Sequence, residues 1–431
     1  MSRACQQPPT ARVGGVVHTG RVQQDRADAA GDAERMPRAS RGGESARVTT
    51  FELFFDLVYV FAFTQVSGLM ADTHSALGVL QALVVLGLLW WMWCSYSWLG
   101  NQAPADRGVV QAGMTVAMIA VFIVALAIPE AYDDLPGGWY APLVVALAYL
   151  FVRIVHTTLY VIVAGDDHAL RRQVLGTQVV AMLPSATALI VGALIGGAAQ
   201  TWIWLAAFVW DVIFTYVSSR GGGGWRLHSP VHWAERYGLI VILALGESIV
   251  AIGVGVAQEP IDGPIVLGVA ISVTISVLLW RAYFTRIAPA GEHGLQRRTG
   301  AARVVFARDE YTYMHFAIVG GIILAALGVE EAMAHISDAE PFGSFGASAL
   351  AVGIAVYAAA TAVFGRIAGL PWPFVRIGAA VALAAVIPLL AIVTAMWALV
   401  IVAALLAATL LIEGLRPASA RCTAGGAVGS L

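Results

Sequence analysis

The strongest constraint on this chain is a series of apolar stretches, each about the length of a bilayer-crossing helix. About 20 mostly apolar residues span the hydrocarbon core, because a helix rises about 1.5 Å per residue. Twelve stretches qualify, over roughly 51–71, 77–98, 109–128, 139–164, 173–196, 200–218, 233–256, 264–285, 309–328, 344–365, 374–392 and 395–413. Gly, Pro or charged residues bound each of them. The 431 residues are 59% hydrophobic and 12% charged, whereas soluble domains run at about 45–50% and about 25%. The expected fold is all-α, a polytopic transmembrane helical bundle of about twelve helices. A water-soluble enzyme and a nucleic-acid-binding domain are both excluded by this composition.

The arginines test the span count independently, since positive residues collect on the cytoplasmic side of a membrane. All 25 basic residues are Arg. With the N-terminus inside, Arg107, Arg171, Arg172, Arg220, Arg226, Arg297, Arg298, Arg303, Arg366 and Arg416 all fall in inner segments. The intervening loops carry no Arg and are acidic, with Glu130, Asp133, Asp134, Glu259, Asp262, Glu330, Glu331, Asp338 and Glu340. A miscounted span would scramble this alternation. The expectation is a multi-pass protein of the bacterial cytoplasmic (inner) membrane with both termini cytoplasmic and the lipid bilayer as its main partner.

Residues 1–47 are Arg-rich without apolar periodicity and read as a disordered cytoplasmic extension, with Met36 as an alternative start. Residues 48–415 form the transmembrane bundle, and 416–431 a flexible tail. Cys5, Cys94 and Cys422 make no disulfide framework or metal spacing. Echoes between 48–218 and 232–415 are consistent with two parallel six-helix repeats. Glu52 and Glu235 open spans 1 and 7, and "LWWMW" in span 2 matches "LLWRAYF" in span 8.

Charges inside the spans stand out, because one at the bilayer centre costs about 2.5–3.5 kcal/mol on insertion scales. Glu52 and Asp56 sit four residues apart at the start of span 1, on a helical stripe with Tyr59, Phe63 and Ser67. Arg153 lies 11 residues before the inner end of span 4, about 16 Å deep, with His156 one turn nearer the cytoplasm. Asp211 on span 6 has a comparable depth. His232, Glu235 and Arg236 cluster at the inner end of span 7, and Glu247, flanked by Gly246 and Ser248, lies near the midplane. Arg281, Asp309, Glu310 and His315 complete the set. The expected pairs are Arg153 with Asp56 or Asp211, and Arg281 with Glu235. Glu52, Asp309 and Glu310 read as solvated helix ends, and the other pairs are as well explained by fixing helix register as by chemistry. Glu247 suits a proton or cation relay, or a neutral acid packing two helices. A lone His such as His315 is more often a satisfied core residue than a proton carrier.

Other features carry less. The four glycines of 221–224 lack the Lys-Ser/Thr context of a phosphate loop. Gly192 and Gly196 form an ordinary close-packing GxxxG. His232 and Glu235 have i, i+3 metal spacing but no second pair, so no metal and no cofactor are expected. Trp90, Trp91 and Trp93, like Trp139 and Tyr140, read as interfacial aromatic belts.

Three segments together, "TTFELFFDLVYVFAFTQVS" (49–67), "HWAERYGLIVILALGESIVAIG" (232–253) and "YMHFAIVGGIILAALGVEE" (313–331), resemble the bacterial low temperature requirement protein A (LtrA) family. The similarity runs from about 48 to about 415. Trp233 and Tyr237 stand where other aromatic or histidine residues are expected in the second segment. The resemblance implies a link to growth in the cold and supplies no reaction, cofactor or substrate. Its motif positions are Glu52, Asp56, His232, Glu235, Arg236, Gly246, Glu247, Ser248 and His315.

The function expected is a secondary transporter or a proton or cation pathway for a small solute. Asp56, Glu247, Arg153, Asp211 and His315 are its relay or ion-site candidates. Glu52, His232, Glu235, Arg236, Gly246, Ser248 and Arg281 form an inner-face cluster. The alternative is a membrane-embedded enzyme acting on lipid or isoprenoid material, against which stands the lack of a nucleophile–base pair, HExxH or paired metal motif. A third reading is a structural or sensory membrane protein linked to cold adaptation.

Overall fold

The computed structural model describes residues 46–220 and 225–415. Most of the N-terminal extension, the C-terminal tail, Met36, Cys5, Cys422 and the glycines of 221–224 lie outside the described residues. Among the described residues, twelve helices are long and apolar enough to cross a membrane: α1 (Thr50–Thr73), α2 (Ala76–Gln102), α3 (Gly108–Glu130), α4 (Ala141–Ala164), α5 (His168–Ile195), α6 (Gly197–Ser218), α7 (Pro230–Gly255), α8 (Gly263–Gln296), α9 (Gly300–Ala334), α10 (Ser344–Ile367), α11 (Phe374–Ile392) and α12 (Ala395–Leu415). No strand occurs among the described residues. The chain is a polytopic membrane protein.

The helix starts follow local chemistry. The first amides of a helix lack intrahelical acceptors, and side chains of Thr49, Ser75, Asp167, Ser229 and Asp262 accept from them. At Thr49 the cap is reciprocal: its hydroxyl accepts from the Glu52 amide while the Glu52 carboxylate accepts from the Thr49 amide. The break between α11 and α12 is short, with Val393 extended. It persists because the carbonyls of Ala391 and Val393 accept from the amides of Gly343 and Phe342.

Two helices run well past the spans expected at 264–285 and 309–328. Both continue through a π-helical segment, Tyr283–Ile287 in α8 and Ala307–Tyr313 in α9. Hydropathy falls where a helix leaves the bilayer, but backbone hydrogen bonding need not, so charge marked the membrane edge and missed the helix end. At 34 and 35 residues these helices are about 50 Å long, exceeding the hydrocarbon core on the arginine-rich side.

Helix α2 lies at the centre, against α1, α4, α6, α7 and α9. Trp90, Trp91 and Trp93 are therefore buried in the bundle (1%, 5% and 0% exposed), which overturns the interfacial-belt reading for them. Trp139, at 86% exposure, stays outside. Helices α9 and α10 touch through their backbones. A Cβ added at Gly328 would strike the Leu350 amide nitrogen, and one at Gly353 the Ala325 nitrogen. Such close approach is how membrane helices gain packing without a hydrophobic driving force between them.

Candidate functional site

Helices α1, α2 and α7 meet near the arginine-rich end of the bundle and bury a polar network there. Glu52 and Asp56 are each 1% exposed, His232 3% and Arg236 0%. Glu52 is therefore no solvated helix end: α7 brings His232 and Arg236 over it and excludes water. Its Oε2 accepts from the Thr49 amide (2.9 Å) and hydroxyl (3.0 Å), and its Oε1 lies 2.9 Å from His232 Nε2. Arg236 Nη1 donates to the Glu52 carbonyl (3.1 Å), and Nη2 meets Asp56 Oδ1 at 3.0 Å. The Trp93 indole donates to the same Asp56 oxygen at 2.9 Å, and the guanidinium lies over the Trp93 ring. Asp56 Oδ2 has no hydrogen-bond partner among the described residues.

Asn101 fixes the His232 tautomer. Its Oδ1 accepts from the backbone amides of His228 (2.7 Å) and Ser229 (3.3 Å), so its Nδ2 is the donor side. That Nδ2 donates to the Ser229 carbonyl and faces His232 Nδ1 at 3.3 Å. Nδ1 is thus the acceptor and Nε2–H donates to Glu52, which is a neutral imidazole. Both ring nitrogens are engaged. The metal spacing of His232 and Glu235 brings nothing together, since Glu235 turns away to accept from the Val48 amide at 3.1 Å.

A second buried network joins α4, α5 and α6. Arg153 grips Asp211 with two nitrogens, at 2.8 Å and 3.3 Å, and both residues are 1% exposed or less. Tyr149 donates to Asp211 at 2.9 Å, and Gln178 Oε1 accepts from Arg153 at 2.9 Å. Of the two partners expected for Arg153, Asp211 is the one it meets, because Asp56 is held by Arg236.

Further along the α1–α7 seam, the Thr64 hydroxyl donates to Glu247 Oε2 at 2.7 Å. Thr64 is two turns beyond Asp56, about 12 Å along α1. The buried hydroxyls of Tyr59, Ser67 and Ser248 have no hydrogen-bond partner among the described residues. The stripe of Tyr59, Phe63 and Ser67 expected beside Glu52 and Asp56 is buried as a unit.

The family model for the bacterial low temperature requirement A protein (LtrA) matches residues 47–411. The chain belongs to the LtrA family. An uncharacterized protein of Rhizobium meliloti (strain 1021), RA0937, is similar to this LtrA chain at 31% identity over 301 residues, covering 66% of this chain and 69% of that one. No solved structure matches it.

The remaining motif positions of this LtrA chain take different roles. His315 is 0% exposed, with Nδ1 toward the Glu310 carbonyl (3.0 Å) and Nε2 2.7 Å from the Tyr283 hydroxyl. It lies two residues beyond the end of one π-segment and Tyr283 at the start of the other, so it links α8 to α9. Glu310, 4% exposed, is buried with it, contrary to the solvated-end reading, while Asp309 stays partly exposed and pairs with Arg308 at 2.6 Å. Arg281 faces outward and does not meet Glu235, whose guanidinium neighbour is Arg47 at 4.0 Å. Gly246 has open space where a Cβ would stand.

Arg236 with Asp56, Trp93 with Asp56 and Arg376 with Glu413 are pairings that were not anticipated. Arg376 on α11 binds Glu413 on α12 through two hydrogen bonds, 2.7 Å and 3.1 Å, and also donates to the Ala282 carbonyl. The signal was present, a lone Arg and a lone Glu near the same membrane edge of consecutive spans. Trp93 gave none, because an indole that holds a carboxylate looks in sequence like one at an interface.

Proposed function

We propose that this LtrA-family protein is a secondary transporter or ion pathway in which the Asp56 carboxyl carries the coupling proton or small cation. The charge count of the α1–α2–α7 network supports this reading. Two carboxyls, one guanidinium and a neutral imidazole leave one negative charge uncompensated when both acids are ionised. An unpaired charge kept from water is costly, on the order of several kcal/mol, and a proton or cation removes that cost. The hydrogen bonds favour Asp56 as the place: Glu52 has both oxygens occupied, whereas Asp56 Oδ2 has none. Tyr59, Ser67, Ser248 and the Thr64–Glu247 contact continue polar groups along the same seam toward the opposite face, as a relay requires. In the Arg153–Asp211 pair, by contrast, both carboxylate oxygens are taken, and the pair acts as a staple that fixes helix register. The arginine-rich end faces the cytoplasm of a bacterial inner membrane in this reading.

The test is cation flux in liposomes holding the purified protein and a proton- or sodium-sensitive dye, under an imposed potential. Protein-dependent flux that falls at least tenfold in Asp56→Asn and is little changed in Arg281→Gln is the expected result. Equal flux in Asp56→Asn and the parent ends the coupling role of Asp56, and no protein-dependent flux of either cation ends the reading itself.

A further inference from the structure

Between α2, α4, α5, α6 and α9, in the half of the bundle nearer the arginine-rich end, lies a cavity of about 60 Å³. At about 10–15 Å³ per water-sized position it takes about four to six of them, the size of a molecule with four or five heavy atoms. Asp56 and Glu247 do not line it.

Its polar wall is rich in donors, and His156, which also lines it, has both ring nitrogens without a hydrogen-bond partner among the described residues. Arg153 Nε, the hydroxyls of Tyr160 and Thr215, and Trp225 Nε1 belong to lining residues and have no hydrogen-bond partner among the described residues. Arg153 and Tyr160 are each 1% exposed. The guanidinium and the indole can only donate. Arg308, 6% exposed, adds a second guanidinium. Asp211 and Asp309, the partners of the two arginines, are not on the wall, and no carboxylate among the described residues lines it. Buried donors without acceptors are costly, and a ligand rich in acceptors satisfies several of them at once. Trp91, Trp98 and Tyr313 supply flat walls that limit its size.

We infer that this cavity binds a small oxyanion, a monocarboxylate or inorganic oxyanion of four or five heavy atoms, held by Arg153 Nε, Tyr160, Thr215 and Trp225. Cys94 and Thr312 also line it, and the Tyr237 hydroxyl lies 3.6 Å from Cys94 Sγ and 3.1 Å from Thr312 Oγ1. The Tyr237 ring packs edge-on against Trp93, the donor to Asp56. The anion site therefore adjoins the carboxylate network. That the anion is cargo moving with a cation rests on the transport reading; its binding does not.

The test is tryptophan fluorescence of the purified full chain in detergent, titrated with sodium acetate and, separately, sodium phosphate, at ionic strength held with sodium chloride. A saturable change with acetate identifies the carboxylate form of the ligand, and one with phosphate the inorganic form. Tyr160→Phe and Thr215→Val, which each delete one hydroxyl and no charge, weaken the apparent affinity at least fivefold, with thermal melts confirming that both variants fold. Saturation unchanged in both variants, or no saturation with either anion, overturns the inference. Saturable binding without cation flux supports the site and overturns the transport reading; flux without saturable binding does the reverse.

Discussion

Arg236 of α7 meets Asp56 of α1 at 3.0 Å, with both side chains 2% exposed or less. Among the described residues only one Asp56 oxygen is used, and Arg236 and Trp93 both converge on it. The arrangement differs from that of Arg153 and Asp211, where both carboxylate oxygens are taken. A saturated pair can fix the register of two helices, while a half-used carboxylate keeps a place for a proton or cation.

The Arg153–Asp211 staple has a measurable signature. Removing one partner strands a buried charge, which costs about 3–5 kcal/mol, while replacing both with apolar residues of similar volume is often neutral. Arg153→Met and Asp211→Leu are each expected to lower the thermal midpoint in detergent sharply, and the double variant to recover most of the loss. Additive losses in the double-mutant cycle would mean that the two residues do not act as a pair.

Gly100 forms the floor under Glu52. A Cβ there would collide with Glu52 Oε1, the atom that His232 reaches. Gly100→Ala is expected to destabilise the protein by about 1–3 kcal/mol through the displaced buried hydrogen bond. Gly246→Ala, in open space on α7, is expected to be neutral or to stabilise by up to about 1 kcal/mol. Thermal unfolding of the two variants side by side checks the contrast.

The α9–α10 contact predicts a second asymmetry among glycines. Gly353→Ala drives a methyl into the backbone of α9 at Ala325, where no flexible side chain can yield. Overpacking of this kind costs about 1–3 kcal/mol, and backbone opposition puts this site at the upper end. Gly68→Ala on α1 meets nothing within 4 Å and is expected to be tolerated. Folded yield by size-exclusion chromatography separates the two.

The twelve spans were legible because each must bury its own backbone hydrogen bonds in a long apolar stretch, a property of one helix at a time. The depth of Arg153 and Asp211 was legible for the same reason. Partner choice was not: Arg236 takes Asp56, and Glu235 turns to Val48, because of which helices adjoin, and single-helix periodicity does not encode that. The Trp90–Trp93 stretch misled for a related cause, since an indole suits an interface and a bundle centre equally until α2 is known to be central. The π-segments of α8 and α9 left no mark in hydropathy.

The most direct test of the central claim is the charge swap Asp56→Arg with Arg236→Asp, followed by thermal unfolding and cation flux on the same preparation. A pathway through Asp56 predicts that the swap restores stability lost in either single variant but leaves flux at least tenfold below the parent. Restored stability together with parental flux would contradict it, and would make the pair a staple like Arg153 and Asp211.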